Sequence, residues 1–322
     1  MKAIRAAYTG EPDVMKLEEL PTPAPGANEL LVRVEAAGVN FIDIYHRTGM
    51  YKLPLPLSLG LEGAGIIETV GEGVRGFAPG DRVAWCAAPG SYATHVRVPA
   101  EKAVPVPSSV DARTAAAMLL QGLTAHYLCQ STYPLKPGDT CVVHAGAGGV
   151  GLLLTQMAKL AGARVIATVS TEEKAALSRG AGADEVVLYT RDDFVAAAKA
   201  ATGGRGVQVV YDAVGQTTFD ASLRALAPRG YMVLYGASSG AVPPLDPQRL
   251  AAGGSLFLTR PTLVHYTLTR DELLGRARQI IGWIEQGALK VRIGATFPLA
   301  EAAAAHAALA SRAPTGKVLL LP

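Results

Sequence analysis

Apolar and polar residues alternate in short runs along the first hundred positions. "ELLVRVEAAGV", "GAGIIETV", "DRVAWC" and "YATHVRV" each have the period of a half-buried strand, and Gly and Pro clusters in "PTPAPGAN", "GEGVRGFAPGD" and "APGS" separate them. This part predicts a β-rich domain. A capped helix opens at Ser109 or Asp111 in "SSVDARTAAAML", and beyond it the period changes. "TCVVHA", "RVIATV", "EVVLY", "VQVVYDAV" and "YMVLYG" are continuous apolar strands, each separated from the next by an amphipathic stretch such as "VGLLLTQMAKLAGA" or "RDDFVAAAKAATGG". Such alternation requires a parallel sheet covered on both faces, so the fold class is α/β with a doubly wound domain over residues 124–263. The tail holds a helix in "RDELLGRARQIIGWIEQG", another around "LAEAAAAHAALAS" and a closing strand "KVLLLP". Neither helix is followed by the parallel strand that a further α/β repeat needs, so the tail is expected to return to the first domain. Residues 1–123 and 264–322 then form one domain, with residues 124–263 inserted between them.

Length and composition fit this division: 322 residues, 49 % apolar and 18 % charged, suffice for two cores. The net charge is +3, and no basic cluster interleaved with aromatics tracks a phosphate backbone, so nucleic acid is not an expected partner. "MKAIRAAYTG" lacks the apolar run of a signal peptide, and no window reaches ~18 uninterrupted apolar residues, which leads to an expectation of no membrane association and a cytoplasmic location. Cys86, Cys129 and Cys141 are odd in number and dispersed, which fits buried thiols rather than a disulfide framework or a metal knuckle. The six histidines show no ligand spacing.

The chemistry-bearing signal is "HAGAGGVG" at residues 144–151. Gly146, Gly148, Gly149, Val150 and Gly151 satisfy GxGxxG, a pattern that is weak alone but gains weight between a strand and a helix. There, absent side chains permit a sharp turn and close backbone approach to a pyrophosphate, and the helix N-terminus presents free amides. The second strand ends in "ATVSTEEK". Ser170 and Thr171 stand where a carboxylate would grip the free ribose of NAD, and Lys174 follows one turn on, which favours NADPH. The alternative makes Ser170 or Thr171 a plain N-cap beside a solvated Lys174, with Glu172 and Glu173 opposing a phosphate.

Two further signals are weighed. "GASSG" matches the GxSxG of hydrolases, but "AVPPLDP" cannot begin the helix that a nucleophile elbow needs. "GGSLFLTR" reads as an apolar edge strand on which two copies would pair, giving a homodimer; a loop of the same chain covering that edge is the alternative.

"GDTCVVHAGAGGVGLLLTQMAK" resembles the signature of the quinone oxidoreductase and zeta-crystallin branch of the medium-chain dehydrogenases. Gly138, Asp139, Gly148, Gly149, Gly151, Gln156 and Lys159 meet it, while Val142 replaces a Leu and Gly146 a small Ser or Ala. The likeness continues through "GVNFIDIYHRTGMY", "GLEGAGIIETVGEGV", "PGDRV" and "SRAPTGKVLLLP". It implies a GroES-like domain built from both chain ends, a Rossmann domain between them and a cofactor in the cleft. Zinc-bearing relatives carry Cys where Asn40 stands and His where Leu61 stands, and neither replacement ligates zinc as such a site requires, so no metal is expected. The resemblance implies Asn40, Asp43 and Tyr51 as the reaction-site residues, with Asn40 hydrogen-bonding the carboxamide or the acceptor, Asp43 bracing its neighbours, and Tyr51 stacking or donating a proton. It assigns Phe41, Ile42, Tyr45 and Tyr127 to the cofactor, Ser170, Lys174, Tyr189 and Arg312 to the 2′-phosphate, and Val214, Ser238, Ser239, Gly240, Ala241, Pro261, Thr262 and Leu263 to the nicotinamide side. The implied activity is metal-free transfer of hydride from NADPH to a quinone. An enoyl or alkenal reductase and a non-catalytic NADPH-binding protein are the alternatives.

Overall fold

The computed structural model describes residues 1–322. Before the period change the chain forms β1 (Lys2–Ala6), β2 (Lys16–Glu19), β3 (Glu29–Val39), α1 (Phe41–Thr48), β4 (Leu57–Ser58), β5 (Glu62–Val70), β6 (Arg82–Cys86), β7 (His95–Pro99), β8 (Ala103–Pro105) and α2 (Ala112–Tyr127). The alternating part follows as β9 (Thr140–Val143), α3 (Gly149–Leu160), β10 (Arg164–Val169), α4 (Glu172–Gly180), β11 (Glu185–Leu188), α5 (Phe194–Ala201), β12 (Val207–Asp212), α6 (Phe219–Ala225), β13 (Leu226–Leu234), α7 (Gln248–Ala252) and β14 (Phe257–Thr259). The tail adds α8 (Arg270–Glu285), β15 (Ile293–Pro298), α9 (Ala302–Ala310) and β16 (Lys317–Leu321).

The chain divides into two compact units, Met1–Leu123 with Thr267–Pro322, and Thr124–Tyr266. The second crossing falls just beyond the expected residue 263. The turn after β14 stays with the second unit because the Tyr266 ring stacks on Tyr127 at 4.2 Å and its hydroxyl accepts a hydrogen bond from Thr132 at 3.0 Å.

In the first unit the main sheet runs β15-β16-β3-β5-β6-β8, β7 also pairs β3, and β2-β1-β4 form a smaller sheet. Leu30, Val32, Ile67, Trp85, Val96 and Leu320 share its core. Trp85 explains a glycine in β5: a Cβ at Gly63 would stand 2.6 Å from its ring. Its indole N–H donates to the Ser91 hydroxyl at 2.9 Å, so this large side chain is buried with its polar atom satisfied. Asp111 caps α2, its Oδ1 accepting from the amides of Arg113 and Thr114 at 2.9 and 3.0 Å.

One expectation about the tail fails. β15 pairs parallel with β16, so α9 is the crossover of a βαβ unit at the edge of an otherwise antiparallel sheet. "IGATFP" concealed it because its positions alternate between half-buried and exposed, and Gly294 lies so close to the Thr315 carbonyl that a Cβ would collide with it.

The second unit contains a parallel sheet in the order β11-β10-β9-β12-β13-β14. Strand order reverses between β9 and β12, the switch point at whose carboxyl ends doubly wound sheets receive ligands. Val142, Ile166, Val210 and Met232 of the sheet pack with Phe194 and Phe219 of the covering helices. β13 begins at Leu226, ahead of "YMVLYG", because α6 ends at Ala225 and the chain pairs Leu226 with Val207 before its register shifts to Tyr231 opposite Val209. β14 forms the expected edge, with Phe257 stacked on Tyr231 at 4.5 Å and still 49 % exposed. No helix is long and apolar enough to cross a membrane.

Candidate functional site

At the carboxyl end of β9 the backbone turns through Ala145 in the left-handed region, φ 53°, and reaches Gly148 as the N-cap of α3. A Cβ at Gly146 would stand 2.8 Å from the Cβ of Ala167, and one at Gly151 would strike the Ala145 carbonyl oxygen. These two glycines are therefore demanded by close approach. The Gly148 amide donates to the Ala145 carbonyl at 2.8 Å, whereas those of Gly149, Val150 and Gly151 open the helix without an intrahelical acceptor, an arrangement suited to an anion.

Buried polar side chains hold this turn from below. His144 bonds the Thr168 hydroxyl at 2.8 Å and the Ser222 hydroxyl at 2.9 Å, joining β9, β10 and α6. Burial lowers its pKa and keeps it neutral, while the Asp212 carboxylate pulls in the opposite direction. Asp212 in turn accepts from the hydroxyls of Thr218 and Ser222 and from the amides of Val214 and Gly215.

Beyond β10, Thr171 is the N-cap of α4, its hydroxyl accepting from the Lys174 amide at 3.3 Å. Lys174 Nζ lies 3.4 Å from the Ser170 hydroxyl. Tyr189, half exposed, follows β11, and its amide donates to the Val169 carbonyl at 3.1 Å. Ser170, Thr171, Lys174 and Tyr189 thus come together at one sheet corner. Glu172, which opposed a phosphate in the sequence, pairs with Arg191 at 3.1 Å and Arg179 at 3.9 Å.

The other second-unit residues follow their strands. Val214 lies two residues past β12, and its carbonyl accepts from the Ser239 hydroxyl at 2.8 Å; Ser238 donates its amide to Ala213, and Gly240 takes φ 114° before Ala241. No helix follows "GASSG" before Gln248, so it is a strand-end loop. Pro261 and Thr262 lead from β14 to the turn at Leu263, and Tyr127 is buried beneath Tyr266, which raises its pKa.

The first-unit residues surround α1. Asn40 is its N-cap and Gly49, at φ 79°, its C-cap. Asp43 is wholly buried, and its Oδ2 accepts from the Asn40 amide at 2.9 Å and the Tyr92 hydroxyl at 2.8 Å. Burial raises its pKa to about 7, against the lowering effect of those two bonds and of Lys317. With Tyr92 donating to Asp43, its oxygen accepts from His306 Nε2 at 3.0 Å, which leaves Nδ1 of His306 unprotonated. Burial, and then the nearby Arg47 charge, lowers the His306 pKa to about 3.

The Asn40 side chain is held by bonds within the chain. Its Nδ2 donates to Glu62 Oε2 at 2.9 Å and to the Gly38 carbonyl at 3.3 Å, and its Oδ1 accepts from Lys317 Nζ at 2.8 Å. Both amide protons are engaged. Lys317 also pairs with Glu62, both side chains fully buried. Tyr45 is buried and meets Tyr51 edge-on at 5.2 Å, while Phe41 and Ile42 are half-buried and Tyr51 is 38 % exposed. Arg312, at φ 60°, belongs to the turn after α9 in the first unit.

Sequence reasoning missed Glu62, Lys317, Tyr92 and His306. Lys317 left a trace as the lone charge heading an apolar strand, and Glu62 as the neighbour of Leu61. Tyr92 and His306 left none, being 214 positions apart.

A glycine turn at a switch point, followed by hydroxyls and a lysine at the next strand end, defines a nicotinamide-dinucleotide oxidoreductase of the two-domain, GroES-plus-Rossmann type. Residues 149–280 match the family described as zinc-binding dehydrogenase, and residues 26–108 the alcohol dehydrogenase GroES-like domain. The chain is 44 % identical to the quinone oxidoreductase of Pseudomonas aeruginosa, over all of this chain and 99 % of the relative. It is 41 % identical to the 2-haloacrylate reductase of a Burkholderia species, over 97 % and 96 % of the two chains. A mycobacterial protein solved in complex with NADPH is 51 % identical, with both chains fully covered and a TM-score of 0.98. The chain belongs to the zinc-independent quinone oxidoreductases of the medium-chain dehydrogenase and reductase superfamily. The metal in the broader description has no ligand set here, since no three His, Cys, Asp or Glu side chains are grouped to hold one.

The α1 cluster generates a pH prediction. Unfolded Asp43 releases its proton near pH 4 and folded Asp43 near 7, so it contributes stability at low pH that is lost as pH rises through 7. His306 has the opposite sign: its contribution is present above about 6.5 and is lost as pH falls towards 3. Between pH 4 and 6.5 the two oppose each other. Asp43→Asn keeps the acceptor oxygen and removes one term, so the unfolding free energy, from urea melts across that range, should rise more steeply with pH by up to about 1.4 kcal/mol per unit. An unchanged slope contradicts the assignment.

Proposed function

We infer that this chain is an NADPH-dependent, metal-free quinone reductase, cytoplasmic and homodimeric. The observation that carries the reading is the corner after β10, where Ser170, Thr171 and Lys174 replace a carboxylate beside a glycine turn that any side chain would fill. Bound NADPH supplies a hydride to an acceptor that takes two electrons. The chain's own work is to hold, orient and exclude water. Gly149 and Val150 offer amides to the pyrophosphate. Ser170, Thr171 and Lys174, with Tyr189, hold the 2′-phosphate. Val214, Ser238 to Ala241, Pro261 to Leu263 and Tyr127 serve the nicotinamide side. Phe41 and Ile42 present apolar surface, Tyr45 packs edge-on against Tyr51 and backs it, and Tyr51 offers a ring for stacking and a hydroxyl. A quinone suits these groups because its product oxygen takes a proton from water or from Tyr51 Oη, whereas an enone needs a donor held over carbon.

The 41 % identity to a 2-haloacrylate reductase supports a second reading, reduction of an activated alkene. NADPH oxidation with benzoquinones, naphthoquinones, enones and 2-haloacrylates separates the two. Quinone turnover should dominate; turnover of alkenes alone would favour the second reading, and tight NADPH binding without turnover a non-catalytic binder. In the same assay Lys174→Ala should weaken NADPH by about tenfold and leave NADH nearly unchanged, the loss of one charge-assisted hydrogen bond. Equal effects on both cofactors would remove Lys174 from the phosphate site.

The homodimer is supported by β14, whose Phe257 and Leu258 expose apolar surface along an edge with unpaired backbone groups. Leu258→Glu should convert a dimer to a monomer in size-exclusion chromatography with light scattering. A variant that stays dimeric would exclude this edge as the interface. Three buried cysteines outside any disulfide support the cytoplasmic assignment, and burial pushes the Cys86 thiol up to about 12.

A further inference from the structure

Lys317 and Glu62 form an ion pair with both side chains wholly out of water. Such a pair is on balance no more stabilising than apolar residues of the same volume, because desolvation of the two charges offsets their attraction. Lys317 heads a strand whose next three residues are all buried and apolar, so an apolar residue there would extend an existing pattern. Even the backbone beneath gives way to the pair: a Cβ at Gly38 would stand 2.5 Å from Glu62 Oε2 and 2.7 Å from Lys317 Cε.

Two further bonds of the pair converge on one residue. Lys317 Nζ donates to Asn40 Oδ1 at 2.8 Å, and Glu62 Oε2 accepts from Asn40 Nδ2 at 2.9 Å. Glu62 itself is fixed through Oε1, which accepts the Leu120 amide of α2 at 2.6 Å. Turned over, the Asn40 amide would set its oxygen against a carboxylate and its NH2 against an ammonium, so one orientation alone is stable. With both protons spent, what Asn40 has left is a lone pair on Oδ1. A quinone carries only oxygen acceptors and cannot use that lone pair; the carboxamide N–H of a nicotinamide can.

We propose that Lys317 and Glu62 are positioning residues that clamp the Asn40 amide as a pure acceptor, so that it selects and orients a nicotinamide carboxamide through its N–H. This rests on the reading of the α1 segment as part of the reaction site. Neither residue touches a ligand; both act through Asn40.

The test compares wild type, Asn40→Ala, the charge-neutral double variant Glu62→Gln with Lys317→Met, and the triple variant. Each is assayed with quinone and with NADPH or its reduced 3-acetylpyridine analogue, which lacks the N–H. The double variant should fold, bind NADPH within a few-fold of wild type, and lose about ten- to a hundredfold in kcat, as expected for misplacement of a reacting ring. Its preference for NADPH over the analogue should fall to that of Asn40→Ala, and the triple variant should be no slower than Asn40→Ala. Should the double variant not fold, Glu62→Gln alone keeps the volume and the acceptor for Leu120 and should lose part of the same preference. Retention of the wild-type preference in these variants while Asn40→Ala loses it overturns the clamp and leaves the site reading intact. An equal loss of rate whether or not Asn40 is present also overturns it, by showing general weakening of the fold. If Asn40→Ala behaves as wild type, the site reading fails and the clamp with it.

Discussion

A stretch of backbone that cannot tolerate side chains is the constraint on which the molecule depends. Between β9 and α3 the turn passes so close to β10 and to its own carbonyls that Gly146 and Gly151 have no room for a Cβ. The same tightness opens α3 with unpaired amides at the point where the strand order reverses. The geometry that makes the turn fit also leaves an electropositive helix start, the feature a diphosphate site needs. His144, neutral and bonded to two hydroxyls, supports it without adding a charge.

The first unit works under the opposite regime. Its polar groups lie at the base of α1 and are almost all buried, so their protonation and direction are set by neighbours rather than by water. Asp43, Tyr92 and His306 form one chain of hydrogen bonds, and Lys317, Glu62 and Asn40 another. Both chains reach Asn40, one through its backbone amide and the other through its side chain. Around Asn40 the chain has a buried network of side chains drawn from β5, β16 and α1.

How much of this was legible in the sequence depended on range. The glycine turn, the cap at Thr171 and the helix start at Asp111 were readable because their partners lie within a few residues. The parallel sheet was readable because burial on both faces leaves continuous apolar runs. β15 was not, since an edge strand packed on one side has no such run, and the early start of β13 was masked by a helix of only seven residues. The partners of the Asn40 side chain were illegible for a different reason: one of its donors is taken by Glu62, 22 positions away, and its acceptor by Lys317, 277 positions away. No local pattern records contacts of that range.

The claim that free amides of the turn carry the diphosphate is tested most directly by Gly149→Pro. Proline is tolerated at the first helical position, and Gly148 before it is already extended at φ −76° and ψ 170°, so the change deletes one amide donor while α3 persists. Calorimetric titration with NADPH should show affinity reduced roughly ten- to a hundredfold in a variant of native helix content. Undiminished affinity would contradict the account.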